Sequence, residues 1–200
     1  MTSGEVQIYN SAKGETMALE RKLRVGELVL RLAVSGLGVA AAALVGSDSQ
    51  VKRFFSLEKK ARFTDMKVLV FLVVANGAAA GYSLLQGICC VVRMMKGSVV
   101  YSKGLAWVIF ACDQVMAYVT LSAAAAALQS AVLGQYGQPE LQWMKICNFY
   151  RKYCTQGGEG LLCAFIASLV LIILSCFSAF NLFRLYGSKK QLRQTSNGSW

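Results

Sequence analysis

The stretch VLVFLVVANGAAAGYSLLQGICCVV, running from Val68 to Val92, decides the fold. It holds no charged residue and is bounded by Lys67 and Arg93. As a helix rising 1.5 Å per residue it would measure about 37 Å, enough to cross roughly 30 Å of hydrocarbon. Working outward, three more stretches have the same character. Val25 to Gly46 carries Glu27 near its entrance and Arg31 one turn further in. Leu105 to Leu133 carries only Asp113. Leu161 to Phe183 is uncharged and ends against Arg184.

The whole composition agrees. Apolar residues make up 56% of the 200, charged residues only 16%, and the mean hydropathy is +0.47. A soluble domain needs about a quarter of its residues charged to keep its surface wet. The fold class expected is therefore an all-α integral membrane protein, a bundle of four transmembrane helices with short up-down connections. Its parts are an N-terminal segment 1–24, a transmembrane domain 25–186 with spans near 25–46, 68–92, 105–133 and 161–183, and a tail 187–200. No cleavable signal precedes the first span, which is expected to act as its own insertion signal, and Thr2 excludes myristoylation.

Two long loops, Ser47–Lys67 and Gly134–Gly160, lie on one side; a basic turn, Arg93–Lys103, and both termini lie on the other. Placing the termini in the cytoplasm puts eleven basic residues inside and nine outside, a small positive-inside bias. Cys147 and Cys154 are the only cysteines outside the spans, and both sit in the second long loop. A disulfide between them persists only on the oxidising side, which places that loop outside. Two free thiols in a cytoplasmic loop is the alternative.

Arg31 and Asp113 carry the most information. A lone charge inside hydrocarbon costs several kcal/mol, so intramembrane charges pair or line water. Helices one and three of such a bundle run parallel, and the two residues lie at similar depth. An Arg fork suits a buried carboxylate better than Lys. Two readings stand: a structural clamp between helices, or the centre of a small ion channel or transporter.

Small residues recur at helical spacing. Gly77 and Gly81 do so in the second span, Gly38, Ala42 and Gly46 in the first, and Ala123 to Ala127 run unbroken in the third. In lipid such residues let helix backbones approach closely. The faces serve packing inside the bundle or contact between protomers. The second outer loop carries Tyr136, Trp143, Phe149, Tyr150 and Tyr153, either interfacial anchors or a protein-binding surface. Phe54 and Phe55 beside Lys52 and Arg53 suggest a segment lying on the outer headgroups. Cys89 and Cys90 are open to burial or to palmitoylation; Cys112, Cys163 and Cys176 read as core residues.

The chain has no His, which removes imidazole catalysis and imidazole metal ligation. No nucleotide loop, metal-binding motif or paired catalytic carboxylate occurs, so no catalytic residue, metal or cofactor is expected. The net charge of +11 sits at span ends, where it meets lipid headgroups, and nucleic acid is not an expected partner.

Leu30-Arg31-Leu32, Ala75-Asn76-Gly77 with Tyr82-Ser83-Leu84-Leu85, Asp113-Gln114-Val115-Met116-Ala117-Tyr118 and Ser122 to Ala127 stand in a characteristic order. Together they resemble the plant Casparian strip membrane domain proteins and their wider CASP-like family, relatives of the MARVEL tetraspan proteins. The resemblance spans about Leu23 to Lys190. Arg31 and Asp113 correspond to the family's intramembrane Arg and Asp. The signature segment of the founding members is not found between Ser47 and Lys67, which points to a CASP-like member outside that subgroup. The resemblance implies a non-enzymatic, multi-pass scaffold of the plasma membrane. It would form homo-oligomers, or hetero-oligomers with related members, limit lateral diffusion among membrane lipids, and gather extracellular cell-wall-modifying proteins, the second outer loop being a candidate surface.

Overall fold

The computed structural model describes residues 3–47, 49–54, 57–62, 64, 66–96, 103–137 and 145–197. Its elements are α1 (Ser3–Gly46), β1 (Ser49–Phe54), β2 (Leu57–Arg62), α2 (Lys67–Lys96), α3 (Lys103–Tyr136), α4 (Ile146–Phe149) and α5 (Arg151–Asn197). Four helical segments are long and apolar enough to cross a membrane: Arg21–Gly46, Lys67–Met95, Gly104–Tyr136 and Arg151–Arg184. Four crossings bring the two terminal helix ends to the same face.

The spans expected from hydropathy are all present, but the helices outrun them. α1 reaches back through the N-terminal segment to Ser3, and α5 runs on through the tail to Asn197. α5 also begins ten residues before Leu161, and α4 precedes it, so much of the expected second loop is helical. Hydropathy locates the part of a helix that needs lipid; the helix itself stops only where the chain breaks it. Extending a formed helix adds one hydrogen bond per residue fixed, and Ala, Leu, Glu, Lys and Arg favour it. The only proline, Pro139, and Trp143 lie outside the described residues, as does Phe55.

The connection between the first two spans holds a two-stranded antiparallel hairpin that its sequence did not suggest. Ser49 pairs with Arg62, and the register continues through Lys52 opposite Lys59 to Phe54 opposite Leu57. Strand β1 rests against α5.

The helices form a ring in which α1 packs on α2 and α5, and α3 packs on α5 and α2. α1 and α3 therefore face each other diagonally. Alanine fills the centre of the half nearer the hairpin, where Ala41, Ala75, Ala123, Ala124, Ala127 and Ala164 meet Val45 and Leu72. Side chains this small bring helix axes close, and in lipid close packing is what holds helices together. Gly38 takes this furthest: a Cβ there would sit 2.9 Å from the Asn76 carbonyl oxygen and 3.1 Å from the Ala80 Cβ. Gly160 is similarly pressed, with Val45 2.6 Å from where its Cβ would be.

Large apolar side chains point outward instead. Leu85 is 65% exposed and Phe183 73%. A surface of this kind over four helices is covered by lipid, not water. Cys176, read from sequence as a core residue, belongs to this outer surface, and so does Cys89; Cys90 is buried. Helical periodicity within a uniformly apolar run does not say which side faces lipid.

Candidate functional site: a polar cluster joining all four spans

The cluster begins with the residues that hydropathy cannot tolerate. Arg31 is ten residues beyond Arg21, and Asp113 nine beyond Gly104, so both lie well inside their spans. Arg31 is 1% exposed and Asp113 0%. The guanidinium donates through Nη1 to Oδ1 of Asp113 at 3.2 Å and through Nη2 to Oδ2 at 3.1 Å. This fork-on-fork pairing matches the planar donors to the planar acceptor. α1 and α3 are diagonal neighbours, so the long Arg side chain reaches through the middle of the bundle.

Glu27, one turn before Arg31, accepts from its Nε at 3.1 Å and Nη2 at 2.9 Å. Its 19% exposure leaves it at the edge of the cluster. The sequence left open whether Glu27 joins the pair or reaches toward headgroups; the structure puts it on Arg31.

Two further helices contribute. From α2, the Tyr82 hydroxyl donates to Oδ1 of Asp113 at 2.8 Å and in turn accepts from Gln86 Nε2 at 3.4 Å. From α5, the Ser178 hydroxyl donates to Oδ2 of Asp113. Nearby, Ser175 on α5 donates to the Gln114 side-chain oxygen on α3. Each oxygen of Asp113 thus receives two donors, which fills the four acceptor positions of a carboxylate. Tyr82, Gln86, Ser175 and Ser178 were not singled out as site residues from the sequence. Uncharged polar residues within a span carry no desolvation penalty large enough to mark them, although Tyr82 and Gln86 at four-residue spacing on α2 were a usable hint.

Some buried polar groups elsewhere are satisfied within their own helix, as where Thr120 donates to the Met116 carbonyl at 2.8 Å and Asn76 Nδ2 to the Leu72 carbonyl at 2.9 Å. Among the described residues, Asn76 Oδ1 and Ser83 Oγ are buried with no partner.

The small residues divide into two groups. Gly38, Ala123 and Ala127 are inside, packing helices together. Gly77 and Gly81 are outside: an added Cβ at either would meet nothing within 4 Å. They line a shallow apolar groove between α1 and α2 that also takes in Ser35, Val39 and Ala42.

At the opposite membrane face Cys147 and Cys154 form a disulfide with Cα atoms 5.6 Å apart. It ties α4 to the first turn of α5. The Cys147 sulfur lies 3.8 Å from the Cβ position of Gly134 on α3, and Gln156 Nε2 on α5 donates to the Leu44 carbonyl on α1 at 2.9 Å. This end is therefore braced independently of the ionic cluster.

Comparison with known proteins fits the geometry. The Casparian strip membrane protein domain matches residues 20–170. CASP-like protein 2B2 of Populus trichocarpa is 59% identical over 95% of this chain and 93% of its own length. CASP-like protein 2B1 of Vitis vinifera is 57% identical over 100% and 96%. CASP-like protein 2B2 of Arabidopsis thaliana is 55% identical over 86% of each. No solved structure matches. A match covering most of the chain, with relatives this similar along nearly their whole length, assigns the protein to the CASP-like family of plant membrane proteins.

Proposed function

We propose that the protein is a non-enzymatic scaffold of the plasma membrane that self-associates into membrane domains and gathers cell-wall-modifying proteins on its outer face. The observation that carries this reading is the direction of the Gly77–Gly81 face. The bundle packs with Gly38 and the α3 alanines and leaves the two-glycine face of α2 open to the membrane. A backbone left bare of side chains over more than one turn suits the approach of another helix. The termini then lie in the cytoplasm, and the disulfide-tied α4–α5 corner faces the cell wall, where the thiols stay oxidised.

In this reading the ionic cluster is a clamp. Transport through Asp113 would require its carboxylate to exchange partners, and four protein donors already hold it. Membership of a family named for the Casparian strip supports the assignment to membrane domains.

The test is subunit counting by photobleaching in native lipid patches. The wild type should yield multimers, and Gly77→Leu with Gly81→Leu should shift the count toward one while the melting temperature holds. A wild-type monomer under all conditions would remove the scaffold reading. Ion flux in liposomes that disappears in Asp113→Asn would replace it with transport.

A further inference from the structure

α3 carries a second seam, on the side turned away from the bundle. Its buried residues Asp113, Ala117, Thr120, Ala124 and Ala127 recur at alternating steps of four and three. Ala111, Val115, Tyr118, Ser122, Ala125 and Gln129 recur in the same way two positions earlier, about 200° round the helix, and all six are exposed. A seven-residue repeat is the spacing by which helices pack side by side over many turns. The inner seam has α2 and α5 to pack on, whereas the outer one faces the membrane. Tyr118 is the residue there that lipid does not suit. It is 63% exposed. In its span it lies fourteen residues beyond Gly104 and eighteen before Tyr136. The Asp113–Ser178 and Gln114–Ser175 pairs set that level of α3 beside the middle of the uncharged run Leu161–Phe183 on α5. A phenol in a membrane protein ordinarily stands at the headgroups, where its hydroxyl is wet. Hydrocarbon gives that hydroxyl no partner, and among the described residues none supplies one. Near mid-membrane α2 and α5 turn Val74 and Ile173 outward instead. Ser122 differs from Tyr118, since its hydroxyl donates to the Val119 carbonyl of its own helix at 2.9 Å.

What satisfies such a face is a copy of itself. A two-fold axis along the membrane normal sets each residue against its own counterpart at the same depth. A hydroxyl and an amide each donate and accept, so Tyr118 and Gln129 are complementary to themselves. The seam holds no charge that two copies would bring together, and Ala111, Ser122 and Ala125 let the backbones come close. Two parallel helices meeting on a seven-residue repeat cross at about 20° in the left-handed sense. α3 stands diagonally across from α1, so this seam and the Gly77–Gly81 groove between α1 and α2 lie on different sides of the bundle. One two-fold contact closes a pair; two on different sides extend it into a row.

We propose that a second copy of the chain packs along the outer seam of α3, with the two Tyr118 hydroxyls paired at mid-membrane. The inference rests on the reading that copies of the chain associate, and adds a contact that uses no residue of the α2 glycine face. The experiment is cysteine cross-linking between full-length copies in native membranes, with Cys89, Cys112 and Cys176 changed to alanine. Single cysteines placed at Ala111, Val115, Tyr118, Ser122 or Ala125 should cross-link to the same position of a second copy, and those at Gln114 or Leu121 should not. Gly77→Leu with Gly81→Leu should leave these α3 cross-links in place. In the otherwise native chain, Tyr118→Phe should weaken association counted by photobleaching roughly threefold, as for one hydrogen bond between membrane helices, while the melting temperature of the protomer holds. Cross-linking through Gly77→Cys but through no α3 position would overturn this contact and keep the scaffold reading. A monomer count with no cross-link at either face would remove both. Cross-linking without the seven-residue rhythm would mean chance collision, and labelling of Tyr118 by a photoreactive sterol in place of cross-links would give the face to lipid. Either result overturns the proposal.

Discussion

Arg31 and Asp113 meet across the diagonal of the bundle, joined by two parallel hydrogen bonds of 3.2 and 3.1 Å, with no exposure to the surroundings at the carboxylate. Neighbouring helices in the ring are held by small apolar contacts. The diagonal pair α1 and α3 is joined by this ionic bridge, by the donors that α2 and α5 aim at the same carboxylate, and by the apolar cluster that Val34 and Ala117 share. The cluster thus fixes the relative height of all four spans, which packing among alanines alone would leave free to slide. Breaking a buried pair leaves an uncompensated charge, at a cost of about 3–5 kcal/mol. Arg31→Leu and Asp113→Leu should each lower the melting temperature sharply in detergent, whereas Arg31→Leu with Asp113→Leu together should lose less than the two losses added. Additive losses would show that the two residues do not act as a unit.

Reversing the pair should not restore it. Glu27 sits one helical turn from position 31 and already accepts from the guanidinium at 2.9 Å. Arg31→Asp with Asp113→Arg would set two carboxylates side by side on α1 and place a guanidinium against the donors Tyr82 and Ser178. The expected result is a protein clearly less stable than wild type, partly rescued when Glu27→Gln is added. Full stability of the swapped protein without that third change would mean that Glu27 is not part of the cluster in the membrane.

Tyr82 is the contribution of α2, and removing one oxygen isolates it. Tyr82→Phe keeps the ring and deletes the 2.8 Å bond to Asp113. Hydrogen bonds to charged groups contribute about 1.5–3 kcal/mol, and Ser178→Ala should fall in the same range. Chemical denaturation of the bundle monitored by helix content would give both values. A loss below about 0.5 kcal/mol for each would mean that Arg31 alone satisfies Asp113.

The glycines allow a sharper contrast, because two with the same spacing motif face opposite ways. At Gly38 even an alanine would press on the Asn76 carbonyl and the Ala80 methyl, so Gly38→Ala should destabilise through overpacking, by about 1–3 kcal/mol. At Gly77 nothing lies within 4 Å, and Gly77→Ala should be neutral or stabilise the helix by up to about 1 kcal/mol. Thermal melts of the two variants in the same detergent give the comparison directly. Equal destabilisation at both sites would place the α2 glycine face inside the bundle.

Charge and hydropathy made a good part of this legible. Four long apolar runs, two of them wholly uncharged, specify four spans because lipid tolerates little else, and a lone Arg and a lone Asp at matching depth specify each other because neither can stay unpaired there. Where the penalty is small, the signal disappears. Ser178 and Tyr82 are neutral, so nothing in the sequence obliged them to reach Asp113. Gly77 and Gly38 carry the same small-residue pattern, and spacing reports that a helix face is smooth without reporting where it points. The hairpin was hidden for another reason: the stretches Ser49–Phe54 and Leu57–Arg62 lack the apolar–polar alternation in sequence that reveals a half-buried strand. The long helical extensions of α1 and α5 were missed because hydropathy says nothing about a helix once it leaves the membrane.

The disulfide offers the last prediction, and it bears on orientation as well as stability. Cys147 and Cys154 close a loop that starts α5, and the Cys147 sulfur also lies against the end of α3 at Gly134. For so short a loop the chain-entropy effect of the cross-link is at the low end of its range, about 2–3 kcal/mol. Cys147→Ser with Cys154→Ser should therefore soften the hairpin-side end of the bundle without dispersing the Arg31–Asp113 cluster, which lies in the other half of the membrane. Hydrogen exchange should rise in residues 145–160 and stay unchanged around 27–34. With the termini in the cytoplasm, a membrane-impermeant maleimide added outside intact cells should label positions 147 and 154 only after reduction. Labelling without reduction would mean free thiols, and labelling only after the membrane is opened would reverse the orientation of all four spans.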